Sequence, residues 1–551
     1  MSDRPQEQTR RSNVSRETWL LVILILSSLI LRTALLRVDR VVRYDEPDYL
    51  ILGRNLFSGR GYAVTDRAEL HYAPLFPAVT GLLYPLTRNM KLNSDIAYVL
   101  FGTLTLLPFY ALAKRLLGTS VALIASAWLC LYPMLTSAVL FWGTMLEPLY
   151  LFLVFSALYA AWIAWEDQRI LAYLTAGGLL GLAYLTKPEA IAYLGLMVVL
   201  FVVANLWRRT LLRPGTLLGI VGSVLAFALV ISPYIAFLYQ QTGRIMITGK
   251  LGVTYVAGEG AVVNDPGLYD RALSQLDEAG EEIIWFSMDR FKYDLGEIIR
   301  ADPAGFVRRT WRNFNRLEST LFTRQVFPLY LLILLGIGWF ASPWDKERAA
   351  KELFVIAAVL PVLIFLPFHI ELRYFAPALP ILWLWVARGL SALARWVDAT
   401  LGNLGWATRW RSGLSKALLA VCSILMALFF VALQPQVVQE GLATMGTSRR
   451  DAGLWLQQNT PTDAFVMSRD TEVPFYAQRR WAATPHEDYE TFIAYVQKRG
   501  ADYLVMDERE VTVIRPQLER LLDEDAPPPE LRHAYTASDD RGKTIVYEVL
   551  Y

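Results

Sequence analysis

Apolar stretches of roughly 20 residues recur along this 551-residue chain almost from end to end. No other feature limits the fold as strongly, because a helix of that length matches the hydrocarbon core of a bilayer. The first runs from Trp19 to Leu36, behind the leader MSDRPQEQTRRSNVSR with Arg4, Arg10, Arg11 and Arg16. An excess of basic residues predicts a cytoplasmic N-terminus, and no small-residue cleavage site follows that would mark a removed signal peptide. The runs at 96–113, 148–165, 190–207, 327–341 and 375–390 each end on Lys or Arg, and return runs lie at 119–140, 170–186, 216–238, 353–368 and 417–433. That alternation predicts a polytopic α-helical membrane protein with eleven spans and its C-terminus outside. PLFPAVTGLLYPL (74–86) is 13 residues long, too short to cross, and is predicted to be an interfacial or re-entrant helix.

Composition agrees: 54% hydrophobic residues with 17 Trp exceed what a soluble domain carries. A net charge of +2 gives no reason to expect a nucleic-acid partner. Cys130 and Cys422 sit inside apolar runs, as buried thiols do. The predicted organisation is a membrane domain over 1–433, with external loops at 37–95 and 240–325, followed by an external domain over 434–551. In that tail, strand-like DAFVMS, ADYLVMD and KTIVYEVLY alternate with helix-like DYETFIAYVQKRG and turn-rich DEDAPPPE, the pattern of a small α/β domain.

Charged residues that interrupt apolar sequence gather at the external ends of the spans. They are Asp45, Glu46 and Asp48 in RYDEPDYL, Glu147 in FWGTMLEPLY, Lys187 and Glu189 in YLTKPEAI, and His369, Glu371 and Arg373 beside Tyr374 in PFHIELRYFAP. An ion-coupled transporter is expected to place ionisable groups near the midplane, whereas this pattern favours chemistry at the outer boundary. Simpler roles stay open from the residues alone. Asp45, Glu46, Glu147 and Glu189 lie beside prolines and suit helix capping; Lys187 suits snorkelling and Arg373 with Tyr374 an interfacial belt. His71, His369, His486 and His533 lack metal-ligand spacing. Asp45 with Glu46 offers oxygens to a divalent cation, without an evident third ligand, so no metal site is assigned. Carboxylates and cations on one rim are what sugar transfer from a lipid phosphate needs: a base for the acceptor's proton and positive charge for the departing phosphate.

In order along nearly the whole chain, YDEPDYLILGRNLFSGRGY (44–62), HYAPLFPAVTGLLYPL (71–86), Glu147, LTKPEA (185–190) and ELRYFAPALP (371–380) resemble GT-C membrane glycosyltransferases of the protein O-mannosyltransferase and aminoarabinose-transferase superfamily. The tail WLQQNTPTDAFVMSRDTEVPFYAQRR and GADYLVMDER is similar to the external domain many members carry. The resemblance implies an inverting enzyme that uses a polyprenyl-phosphate sugar in the plasma membrane, where membrane lipids surround it, and acts on an acceptor protein, lipid or glycan outside. It implies Asp45 as base with Glu46 supporting it, Glu147 as second acid, and Lys187, Arg373 and Tyr374 at the donor phosphate. Asp48, His71, Glu189, His369 and Glu371 become possible substrate contacts. Asp48 stands where aminoarabinose transferases have a basic residue, and His71 lies where they place an acid and a Lys, so transfer to lipid A is the less expected specialisation. The rival expectations are a lipid or solute transporter with a charged outer gate and a scaffold acting through its external domain.

Overall fold

The computed structural model describes residues 4–551, with side chains from Arg16 onward. Residues 1–3 and the side chains of Arg4, Arg10 and Arg11, part of the basis for the inward N-terminus, lie outside the described set. Helix α1 (Arg4–Leu35) opens the chain, and every expected span falls at least partly on a helix. Among the described residues, six helical stretches are long and apolar enough to cross a membrane: Arg16–Leu35, Met90–Leu117, Glu147–Asp167, Pro188–Trp207, Pro214–Thr242 and Thr408–Ala443. The chain is thus built as a multi-pass membrane protein. Prolines shorten others. The run expected over 119–140 is helical only to Leu131, because Tyr132 is extended before Pro133 and two 3-10 turns follow. Likewise Lys346–Val359 gives way to a 3-10 turn containing Pro361.

Burial sorts these helices into layers. In Glu147–Asp167, 72% of the most apolar window is buried, against 17% for α1 and for Thr408–Ala443, which therefore face lipid. Ion pairs at the end remote from Asp45 join Glu17 to Lys114 and Arg115 to Glu166, the latter at 2.7 Å.

The loop over 37–95 forms α2 (Glu46–Phe57) and α3 (Leu75–Leu82). A further turn, Tyr84–Thr87, completes the expected short helical stretch. The two helices pack backbone to backbone: a Cβ on Gly53 would stand 2.6 Å from the Pro77 carbonyl oxygen. The loop at 240–325 is mostly helical and ends in Pro303–Leu321, which exposes Val307, Trp311 and Phe314 along one face and buries Arg309 and Asn313 on the other.

The last long helix continues to Ala443, and a five-stranded sheet follows in the order β2-β1-β3-β5-β4. Its strands are β1 (Phe465–Ser468), β2 (Arg480–Ala483), β3 (Tyr503–Asp507), β4 (Leu531–Asp539) and β5 (Gly542–Val549). The first three are parallel, and β5 and β4 run antiparallel. Helices cover both faces, as a buried parallel strand such as β1 requires. The domain docks on both of these long loops. Val42 N–H donates to Tyr476 Oη at 2.7 Å and Arg43 to the Thr444 carbonyl at 2.6 Å, while buried Asp270 receives Arg515 at 2.6 Å and Arg469 at 2.8 Å.

Gly53→Val is expected to overpack the contact of α2 with α3 and to cost about 1–3 kcal/mol, read as a lowered Tm of the purified protein.

Candidate active site

The chain leaves α1 and reaches Asp45 through Tyr44, a non-glycine residue at φ 57°. Facing it is a second tight turn, with Gly143 at φ 71° and Met145 at φ 57° just before Glu147. The turns interlock: Glu46 N–H donates to the Gly143 carbonyl at 2.8 Å, and a Cβ on Gly143 would meet the Tyr44 ring at 2.6 Å. Left-handed backbone at Tyr44 and Met145 is strained and persists only where its surroundings hold it. Here it sets two helix starts, and the acids that open them, side by side.

Asp45 is not a cap, since α2 has no side-chain cap bond. Its carboxylate, 39% exposed, lies 3.3 Å from Arg373 Nη1. Glu46 points the other way and is 1% exposed. Arg40 grips it at 2.7 and 3.0 Å, Ser94 Oγ donates at 2.9 Å, and Arg40 also pairs with Asp95 at 2.7 Å. Glu46, expected to support Asp45, anchors the start of α2. With its oxygens committed to Arg40 and Ser94, Glu46 does not form a chelating pair with Asp45. Among the described residues no group of three or more His, Cys, Asp or Glu is placed to hold a metal ion.

Glu147 also opens its helix without a cap bond. It accepts from Thr144 Oγ1 at 2.7 Å and meets Lys187 Nζ at 3.3 Å. That ammonium lies 5.6 Å from the ring centres of both Tyr150 and Tyr374. Glu371 Oε2 lies 2.5 Å from Arg373 Nε, and Oε1 lies 3.0 Å from His369 Nε2, which also meets Tyr374 Oη at 2.8 Å. Although burial pushes Glu371 up, Arg373 and then His369 hold it down at about 2. Glu189 pairs with Lys250 at 3.3 Å, extending the array.

Two expected contacts sit apart from this cation array. Asp48, one turn after Asp45, accepts from Tyr72 Oη at 3.3 Å. Burial, then the charges of Asp45 and Glu69, push its carboxyl well above the usual range. His71 is buried with its ring 4.4 Å from that of Trp285, its backbone N–H bonded to Glu69, and burial followed by Lys250 pushes its pKa down. It packs the large loop onto the first.

Several supporting residues were missed in the sequence reading. Arg40 and Asp95 anchor Glu46, Lys250 holds Glu189, and Arg309 donates to the Phe368 carbonyl at 2.9 Å while Asn313 donates to that of Leu366 at 2.8 Å. The last two tie Pro303–Leu321 to the segment that carries His369, Glu371 and Arg373. The 3.6-residue pattern of PAGFVRRTWRNFNRLESTL does not mark them, because Arg309 and Asn313 lie on its polar side, opposite Val307, Trp311 and Phe314.

A family model for dolichyl-phosphate-mannose-protein mannosyltransferases matches residues 71–235. No curated protein matches the chain by sequence. Among solved structures, the archaeal oligosaccharyltransferase AglB from Archaeoglobus fulgidus, in complex with an inhibitory peptide and a dolichol-phosphate, superposes with a TM-score of 0.58 at 15% identity, covering 90% of this chain and 70% of that one. ArnT from Cupriavidus metallidurans bound to undecaprenyl phosphate gives 0.51 at 16% identity, covering 97% and 98%. Arabinofuranosyltransferase AftD from Mycobacteria gives 0.51 at 14% identity, covering 96% and 41%.

Glu46→Ala is expected to cost about 3–5 kcal/mol by leaving Arg40 and its partners imperfectly paired in a buried site, visible as loss of thermal stability that Asp45→Asn does not share. For Glu371 the depressed folded value sets the sign: its contribution is complete above its ordinary value of 4.5 and is lost as pH falls through about 2. The Tm advantage of the wild type over Glu371→Gln should therefore close across that window.

Proposed function

We propose that this chain, whose fold is that of the GT-C membrane glycosyltransferases, transfers a sugar with inversion from a polyprenyl-phosphate donor to a hydroxyl acceptor on the extracytoplasmic side of the membrane. The observation that carries the reading is the juxtaposition of a half-open carboxylate, Asp45, with Arg373 at 3.3 Å. Glu147 and Lys187 stand beside them, and the Tyr374 ring lies within reach of both cations. The match of residues 71–235 to a mannosyltransferase family model supports the same reading, as do the polyprenyl-type phosphates bound in two of the similar structures.

The acceptor oxygen attacks the anomeric carbon from the face opposite the phosphate and forms the new C–O bond as the bond to the phosphate oxygen breaks. Asp45 takes the acceptor proton. The phosphate leaves with the bonding electron pair, and Lys187 and Arg373 neutralise it, Arg373 through two parallel N–H groups. Before a donor arrives each cation has a carboxylate partner, Glu147 for Lys187, and Asp45 with Glu371 for Arg373. An entering phosphate draws Arg373 from Asp45, which frees that carboxylate to act as a base. Glu371, held at 2.5 Å from Arg373 Nε, keeps the guanidinium aimed during the exchange. The basic leader and loops support a plasma-membrane orientation with the N-terminus inside and the sheet domain outside.

Release of polyprenyl phosphate from a panel of polyprenyl-phosphate sugars by purified protein in nanodiscs tests this. Asp45→Asn is expected to reduce release by about 10²–10⁴-fold, the usual yield of a positioned base, without lowering Tm. Wild-type release by Asp45→Asn would remove Asp45 as the base. Folded wild-type protein that releases nothing from any donor would overturn the transferase reading.

A further inference from the structure

Asp45 faces two ways. On one side lies Arg373; on the other, Asp45 and Asp48 form one wall of a cavity of about 460 Å³ whose opposite wall is the sheet domain. That volume lies within the roughly 300–1,000 Å³ of small-molecule sites. Seven carboxyl groups and five guanidiniums line it. Four of the guanidiniums are already engaged. Arg449 pairs with Asp470 at 2.5 Å and Asp507 at 3.0 Å, Arg469 pairs with Asp270, and Arg43 and Arg541 both donate to the Thr444 carbonyl.

Glu472 is the telling group. The residue is 9% exposed, yet among the described residues its carboxylate has one ion pair, at 3.7 Å to Arg449, and no hydrogen bond. Glu472 lines the cavity, so its oxygens are left to solvent or to a ligand there. Burial, resisted by Arg449 and aided by Asp470 and Asp507, pushes it up to about 8, so at neutral pH the carboxyl offers a donor as well as an acceptor. Beside the acids, Tyr269 and Trp285 line the same cavity with ring centres 5.7 Å apart. Hydroxyl-seeking carboxyls next to aromatic faces suit a ring with polar edges and an apolar face.

We propose that this cavity is the acceptor subsite and that it takes a neutral carbohydrate, held by Glu472 and Asp48 through its hydroxyls and by Trp285 and Tyr269 through its apolar face, with one hydroxyl presented to Asp45. The inference rests on the transferase reading and names its acceptor class.

Full-length protein in nanodiscs free of glycoside detergent is titrated with maltose, cellobiose and mannobiose, and separately with glucose 6-phosphate and a Ser/Thr hexapeptide, followed by saturation-transfer NMR. At least one neutral disaccharide should bind. Its Kd should rise by about tenfold in Glu472→Ala, the loss expected for one good hydrogen-bonding group. Trp285→Leu should weaken the same sugar and decides the matter if Glu472→Ala does not fold. Binding of the phosphosugar or the peptide in preference to every neutral disaccharide would overturn the proposal, as would no disaccharide binding or an affinity unmoved by folded variants. Polyprenyl phosphate release is measured on the same preparation: its absence counts against the transferase reading, while the titration judges the cavity.

Discussion

Charge near a lipid boundary persists only when it is paired, because desolvating a lone carboxylate or ammonium costs several kcal/mol. The Asp45–Arg373 contact meets that requirement with a slack geometry of 3.3 Å, and Glu147–Lys187 repeats it at the same distance. Glu46–Arg40, by contrast, is closed at 2.7 Å in full burial. The closed pair fixes the helix; the two looser pairs keep cations where an incoming anion can compete for them. The candidate chemistry depends on that difference, because Arg373 is stabilised in place by partners it can exchange.

Backbone conformation brings the pairs together. Two non-glycine residues in left-handed geometry, Tyr44 and Met145, stand one and two positions before Asp45 and Glu147. The bond from Glu46 N–H to the Gly143 carbonyl joins their turns. Strain there is balanced by the Arg40 anchor on one side and by Arg43, which reaches both Phe141 and Thr444, on the other. From the far side Arg309 and Asn313 brace the segment carrying Arg373. The site is thus a meeting of four chain segments, each held by a buried polar group outside it.

Hydropathy made much of this legible. Boundaries of apolar runs located Asp45, Glu147, Lys187 and Arg373, and the structure gathers all four. Glu46 faces away from Asp45 because consecutive helical residues point about 100° apart, so the second acid of an Asp-Glu pair does not share the direction of the first. In the tail, β1, β3 and β5 were readable as apolar runs. The strand β2 is four residues long and β4 reads LRHAYTASD with mixed burial, so neither has an alternation to detect. Pairings such as Glu189 with Lys250 depend on contacts between distant segments and leave no local trace.

The sheet domain has a physical reason to sit where it does. Its ion pairs to Asp270 are fully buried on the Asp270 side, and although burial raises that carboxyl, His486, Arg515 and Arg469 hold it below its ordinary range. Such a junction is costly to break once formed, so it fixes the domain against the large external loop while Tyr476 fixes it against residue 42. Between those two attachments the chain encloses the space beside Asp45 without filling it, and carboxyl groups, guanidiniums and aromatic rings line that space. Lys187, Arg373 and Lys250 stand on the other side. Asp45 stands where the two halves meet, so in the proposed reaction the leaving phosphate and the acceptor hydroxyl would approach one carboxylate from opposite sides, as a single displacement with inversion requires.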